Sequence, residues 1–521
     1  MVIIEKSHYL NGSFKSDQFF IIWVVLLFFI LGIIGIVHHE MWRDELQSWL
    51  IAKDSSSMID LFNNLRYEGH PALWHICLYL ITRFTHNPLA MQIFHLLLAT
   101  SVIYVFINFS PFTQLQKILF TFGYFPFYEY NLISRSYSLG LLLIFIFCAL
   151  YPRRKRGYIS LSIVLALLAN THVYGLTIAI VLGMTLFIDA LVSQDIVTLL
   201  KKNQGNIIVS LAIFIGLLLI AIWQMLPPVD ADFKGDELKI QQSVLLSVFN
   251  PRLVPTLVTI WNSYIPIPNF FDYKWNINIL NENIIAKICA VIFSINLLLF
   301  SIVIFLRQPI VLFLYLSGTW GILLFTYTKY HGALRHHGHL FIVFLVCIWL
   351  SSFYLKTELI KRRKNLVTWV ERNKNSYLNL ILLSHLIAGI FVYYIDYNYT
   401  FSASKEVASF IEQQGLKNNI LVGSIDYAAS PVAAFLDRGI YYPEINKVAS
   451  FVVWKNRKIL NSKEVLEKVD RLIKPKNNKA ILILNYALKA KRPDMSISLL
   501  LKSSKSIAPQ ETYNLYLIEK K

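Results

Sequence analysis

Charge is scarce in this chain. Of its 521 residues only 15% are Asp, Glu, Lys or Arg, where soluble domains carry about 25%. That deficit excludes an ordinary water-soluble enzyme, and with 56% hydrophobic residues it also excludes disordered, collagen-like and coiled-coil classes. Acids are scarcer than bases, 31 against 49, for a net charge of +18. Cysteine is rarer still. Cys77, Cys148, Cys289 and Cys347 all lie in apolar runs, with no CxxC pair and none beyond Cys347. They read as small core hydrophobes, so neither a disulfide framework nor a zinc site is expected. There is no internal repeat, no low-complexity tract and no glycine-rich phosphate loop.

What is abundant is apolar length. The mean hydropathy is +0.52 and aromatics reach 14%, the composition of a multi-pass membrane protein with Trp and Tyr at its interfaces. A helix needs about 20 apolar residues to cross the hydrocarbon core, with a range of roughly 17–25. Candidate spans are 19–37, 89–107, 207–226, 284–306, 309–328, 338–355 and 378–395. The run 115–151 divides near Ser134-Arg135-Ser136 into two more, and 157–190 divides near Asn170-Thr171-His172 into another two. That makes eleven. The first is no secretory signal, because it lacks a small-residue cleavage site.

Basic clusters orient these spans. Arg153 to Arg156, Lys201-Lys202, Arg307 and the segment 356–375 are all expected on the cytoplasmic side, rather than at a nucleic acid. With the N-terminus inside, the apolar but short segment 71–84 cannot cross and is expected to lie in the outer interface. The segments 38–88 and 227–283 then face outward, each with four Lys/Arg and six acids. Eleven spans place the C-terminus outside. From residue 398 the pattern changes: short apolar runs at 420–423, 480–484 and 515–518 alternate with charged, helix-like stretches at 404–414 and 462–473. The expected architecture is an all-α polytopic membrane domain over 1–397, followed by a small extracytoplasmic α/β domain over 398–521.

The most informative stretch is His38-His39-Glu40-Met41-Trp42-Arg43-Asp44-Glu45. An acid pair just past a span lies near low-dielectric material, which raises a carboxyl pKa, while Arg43 favours the ionised form. Such a group can take a proton from an acceptor; the bland reading is a pair of solvated loop acids. Further on, Glu68 and His70 precede Pro71, which starts the interfacial helix. Arg135 opens the fourth span, and either pairs with a phosphate or snorkels to the headgroups. Glu129 is either its buried ion-pair partner or a second site acid. Between the ninth and tenth spans, Lys329, His331, Arg335, His336, His337 and His339 fall within eleven residues. Polar groups kept at such a boundary are functional candidates: phosphate contacts through Lys329 and Arg335, a metal held by histidines, or a headgroup patch. Asp230-Ala231-Asp232 fits a short metal-binding pattern that chance also produces. The aromatics Trp261, Tyr264, Phe270, Phe271, Tyr273 and Trp275 stack on sugars or anchor the loop to the membrane.

Taken together, several of these features resemble one family. Asp44-Glu45 after the first span, His70-Pro71 about 25 residues later, Arg135-x-Tyr137-x-Leu139 and Asn170-Thr171-His172-Val173-Tyr174 resemble the polytopic glycosyltransferases of the GT-C superfamily. The likeness is to the protein O-mannosyltransferase and lipid A aminoarabinose transferase-like group (glycosyltransferase family 39-like), and it covers roughly 19–190. The resemblance implies transfer of a sugar, usually with inversion, from a polyprenyl-phosphate donor to a lipid, glycan or protein acceptor outside the cytoplasm. It implies Asp44 as catalytic base and Glu45 as its partner. Arg43, Glu68, His70, Glu129, Arg135, Tyr137, His172, Lys329, His331, Arg335 and His336 are the expected substrate contacts. No cofactor is expected, a divalent metal being the open alternative. The membrane would be a bacterial inner (plasma) membrane, with the site on its outer face. Two rivals stay open: a lipid or glycan transporter or flippase, which more often shows repeated halves and broken mid-membrane helices, and a non-catalytic membrane assembly protein.

Overall fold

The structure, a computed structural model, describes residues 14–154, 158–192, 196–232, 252–270, 274–358, 364–473 and 479–521. Residues 1–13, Lys155, Arg156, Phe271, Tyr273 and the basic run 361–363 lie outside these. The chain begins with α1 (Phe14–His38), and a short cluster follows: α2 (Arg43–Asp54), α3 (Met58–Leu65) and α4 (Leu73–Thr82). Next come α5 (Leu89–Phe109), α6 (Gln114–Thr121), a π-helical turn (Tyr124–Glu129) and α7 (Tyr137–Leu150). After α8 (Tyr158–Ala169), α9 (Val173–Val192), α10 (Ile196–Met225) and α11 (Leu253–Tyr264), two short strands pair antiparallel, β1 (Pro268–Asn269) and β2 (Lys274–Asn278). The bundle closes with α12 (Ile284–Phe305), α13 (Pro309–Thr328), α14 (Leu334–Ser351) and α15 (Lys364–Asn398).

Eight of these helices, α1, α5, α9, α10 and α12 to α15, are long and apolar enough to cross a bilayer. The protein is a helical membrane protein. Of the three remaining expected spans, those over α7 and α8 are apolar but shorter. The third, 115–133, is no continuous α-helix. It breaks after α6 at Gly123, where a Cβ would lie 3.0 Å from His385 Cβ and 3.1 Å from the Leu119 carbonyl oxygen. Pro126 then brings no backbone N–H to an α-helical ladder, and the chain winds as a π turn. The segment 71–84 contributes only the ten residues of α4.

Most of the long helices keep one side bare, as lipid-facing helices do. The exception is α14, whose residues from Leu334 to Leu350 are all buried. It begins four residues before the expected span at 338. Gly332, at φ +77, turns the chain, and His336 Nδ1 accepts the Ala333 N–H at 2.8 Å to cap the new helix. The polar residues 335–339 therefore form the first turns of this central helix rather than a loop. At the other end of the chain, α15 runs unbroken from 364, well before the expected 378.

Beyond α15, the runs expected as strands and helices form an open sheet with helices on both faces. The elements are α16 (Ser404–Gln413), β3 (Ile420–Ser424), α17 (Asp426–Leu436), β4 (Ile440–Tyr442), β5 (Lys447–Ala449), α18 (Ser462–Leu472), β6 (Lys479–Leu484), β7 (Met495–Lys502) and β8 (Asn514–Lys520). Strand order is β5-β4-β3-β6-β8-β7, with β4, β3 and β6 parallel. Alternation along β3 and β6 sends Leu421, Ile481 and Ile483 into a core with α16 and α17, and Val422, Leu482 and Leu484 into one with α18, as the two-residue period of a strand requires.

The unit rests on α2 and α4: Ala434 of α17 shares a buried cluster with Leu46, Trp49 and Trp74.

A candidate active site between α2, α7 and α14

The acid pair opens α2. Its two carboxylates occupy the first helical turn, where the helix dipole favours negative charge, but they do different work. Glu45 is fully buried. Its Oε1 accepts the Ser134 N–H at 2.6 Å, and its Oε2 takes the Trp42 N–H at 3.2 Å and lies 3.0 Å from His39 Nε2. On its other side, His39 Nδ1 is 2.7 Å from Asp396 Oδ2, near the end of α15. Burial lowers the His39 pKa, but Asp396 and Glu45 outweigh it and hold the imidazole well above its usual value. Glu45 thus joins α1, α2, α15 and the Ser134 turn through a buried, charged chain of hydrogen bonds.

Asp44 points the other way, toward arginines. Arg335 Nη2 lies 2.8 Å from Asp44 Oδ2, Arg135 Nη1 lies 3.0 Å from the same oxygen, and Arg43 Nε lies 3.8 Å from Oδ1. Burial pushes this carboxyl up, but Arg335, Arg135 and Arg43 outweigh it and keep it below the usual carboxylate range. Aromatic rings floor the cluster. The guanidinium carbons of Arg335 and Arg43 each sit 5.6 Å from the Trp42 ring, and that of Arg135 sits 5.9 Å from Tyr137, within cation–π range.

Glu68 and His70 face the same cluster. Burial, opposed by hydrogen bonds from Gln47 and Trp454 and by the Arg135 charge, lifts the Glu68 carboxyl to about 7. Burial and the nearby arginines lower His70 to about 4, so its ring is neutral. The group therefore combines an ionised acid, an acid poised near neutrality and a neutral imidazole.

The other expected contacts spread along one wall. Tyr137, His172, His336 and His339 pack ring against ring, with His172 and His339 centroids 4.7 Å apart and Tyr137 5.1 Å from His172. Gly140 leaves the room for His172, whose Nε2 would lie 2.4 Å from an added Cβ. Glu129 accepts a hydrogen bond from Tyr124 OH at 3.0 Å; among the described residues it forms no ion pair with Arg135. Lys329 is exposed and joins no ion pair among the described residues, and His331 lies beside His337, ring centroids 5.4 Å apart. No group of three or more His, Cys, Asp or Glu among the described residues is arranged to hold a metal. The two acids of the short metal-like pattern go elsewhere. Asp230 pairs with Lys455 at 2.6 Å, and Asp232 accepts the N–H groups of Asn456 and Arg457. The loop aromatic Trp275 is buried against Trp42, ring centroids 5.8 Å apart.

Four residues that sequence reasoning did not single out complete the site. Gln47 donates to Glu68 at 2.9 Å and exchanges two hydrogen bonds with the Val452 backbone, at 2.7 and 3.0 Å. Glu511 accepts the Arg43 N–H at 3.0 Å. His39 and Asp396 hold Glu45. The one signal available for Asp396 was a lone acid at the end of an apolar run. No family model matches this chain, and no curated protein does.

Proposed function

We propose that the protein is an integral-membrane glycosyltransferase of the GT-C type, transferring a sugar from a polyprenyl-phosphate donor to an acceptor on the extracytoplasmic side, with inversion. One observation carries this reading: a single carboxylate, Asp44, bridged by Arg335 and Arg135 at 2.8 and 3.0 Å at the end of a bundle of apolar helices. With Arg43, the cluster has more positive than negative charge, which suits a phosphate whose lipid tail stays between the helices.

The chemistry follows from competition for those arginines. A donor phosphate draws Arg135 and Arg335 from Asp44, whose carboxylate then loses the partners that depress its pKa and becomes a stronger base. The acceptor hydroxyl gives its proton to Asp44, and its oxygen bonds to the anomeric carbon. The bond from that carbon to the phosphate oxygen breaks, and the electron pair leaves on the polyprenyl phosphate, whose charge the arginines hold. Glu45 touches none of the reacting atoms; it is a positioning residue that fixes Asp44 and the Ser134-Arg135 turn together.

The distribution of charge along the helices supports an outward-facing site. Arg135 precedes α7 and Arg154 follows it; Arg335 begins α14 and Lys356 follows it. The bases away from the site are thus those expected in the cytoplasm, with a bacterial plasma membrane as the setting. The decisive experiment reconstitutes the protein with membrane lipid extract and follows sugar transfer. Asp44→Asn is expected to cut transfer by about 10²–10⁴-fold while lipid-linked donor still binds, and mass spectrometry of lipid-linked sugars accumulating in a deletion strain identifies that donor. No transfer by the unmodified protein would overturn the reading, and full transfer by Asp44→Asn would overturn the role of Asp44 as base.

A further inference from the structure

The C-terminal sheet has a topological switch point. From β3 the chain crosses through α17 to β4 on one side, and later through α18 to β6 on the other. Open parallel sheets bind ligands outside the carboxyl ends of their strands at such points. Here those ends look toward the arginine cluster: Tyr427, just past β3, lies under Arg43, ring centroid to guanidinium carbon 5.3 Å.

Beside these strand ends, between the turn after β4 and the exposed face of α18, opens a cleft of about 350 Å³. That volume is within the range of small-ligand sites. Glu444 lines it, only 7% exposed. Its Oε1 accepts the Ser424 hydroxyl at 2.5 Å, and its Oε2 has no partner among the described residues. A buried acceptor left open is costly and calls for a donor. The rest of the lining alternates acids and bases, Glu464 and Glu467 against Lys458, Lys468 and Arg471. Acids accept from hydroxyls and bases donate to them, while the balance of charge disfavours a strongly ionic ligand. Three apolar residues, Pro443, Ile445 and Leu460, are too few to seat a lipid chain.

One extended segment links the cleft to the arginine cluster. Val452 and Trp454 meet Gln47 and Glu68, and Trp454 stacks on Tyr427 with ring centroids 6.1 Å apart at 21°. Four residues on, Asn456 and Lys458 line the cleft. We propose that the cleft is a saccharide-binding subsite, and that it holds a distal unit of the acceptor, which is therefore a glycan. Its role in acceptor recognition rests on the sugar-transfer reading above; saccharide binding itself does not.

The test uses the full chain in nanodiscs and saturation-transfer NMR with maltotriose, cellotriose, mannotriose and chitotriose, and phosphorus-31 line broadening with inorganic phosphate as an ionic control. At least one trisaccharide is expected to bind saturably. Glu444→Ala, and separately the exposed Arg471→Ala, should weaken it tenfold or more, and Asp44→Asn should leave it unchanged. Should Glu444→Ala fail to fold, Arg471→Ala and Lys458→Ala carry the comparison. The proposal is overturned if none of the four binds, if only phosphate does, or if binding survives the cleft substitutions. Absence of any sugar transfer by the unmodified chain would remove the enzymatic reading and leave a saccharide cleft standing, so the two results are separable.

Discussion

Asp44 and Glu45 are neighbours in sequence with opposite fates, and the difference lies in what each carboxylate touches. Replacing Asp44 by Asn keeps the shape and removes the proton acceptor. Transfer should fall by about 10²–10⁴-fold, the usual contribution of a positioned base, with the variant still folded and still binding lipid-linked donor. Arg335→Lys keeps the charge and loses the planar fork that pairs with phosphate. Hydrogen bonds to charged groups are worth roughly 1.5–3 kcal/mol, so KM for the lipid donor should rise about 10- to 100-fold, read from initial rates against donor concentration. Asp44 and Arg335 were both legible in the sequence, because each is a charged residue beside an apolar run. That they touch across 291 residues was not legible. Nor was the His39–Asp396 contact across 357, since nothing local in a histidine after one helix specifies an acid at the end of another.

At the scale of elements, two contacts set the geometry. The first is α14 against the π-helical turn. An added Cβ on Gly338 would stand 2.5 Å from Phe125 Cε1 and 2.6 Å from Tyr130 OH, and overpacking of this kind costs about 1–3 kcal/mol. Gly338→Ala should lower the melting temperature and also reduce transfer, because Arg335 is carried on the same turn; Ala at the uncrowded Gly216 should do neither. The second contact is Glu511 beneath the start of α2. Burial lifts its carboxyl to about 7, against hydrogen bonds from Ser402 and Arg43. A pKa raised above the unfolded value of 4.5 gives stability that is complete below about 4.5 and is lost as pH rises through about 7. Glu68 acts with the same sign. Melting temperature should therefore fall between pH 5 and 8, and Glu511→Gln should flatten part of that slope. Element types were mostly readable from apolar length and period. The failure at 115–133 arose because hydropathy counts Gly123 and Pro126 as neutral fillers, whereas the backbone cannot treat them so.

For the molecule as a whole, the sequence conveyed two regions and their order, and the structure adds how they meet. Strands β3, β6 and β8 were visible as short apolar runs, but the Gln47–Val452 clamp that ties the sheet to α2 was not, because a glutamine in a helix has no sequence mark of a distant partner. The two ends of the bundle carry a direct prediction. In sealed, right-side-out vesicles, a membrane-impermeant maleimide should label Lys458→Cys and leave Lys356→Cys unlabelled until the vesicles are opened, with native Cys77 and Cys289 replaced by Ser. The reverse pattern would place the arginine cluster in the cytoplasm.

The enclosure of α14 has a consequence for how the chain is made. It is the least apolar of the eight long helices and carries Arg335 and three histidines in its first two turns, yet it sits at the axis, walled by protein on every side. Offered alone to the bilayer during synthesis, such a segment is a poor guest. Its retention must wait for the helices already threaded ahead of it, which makes the first three hundred or so residues an intramolecular chaperone for the one that carries Arg335.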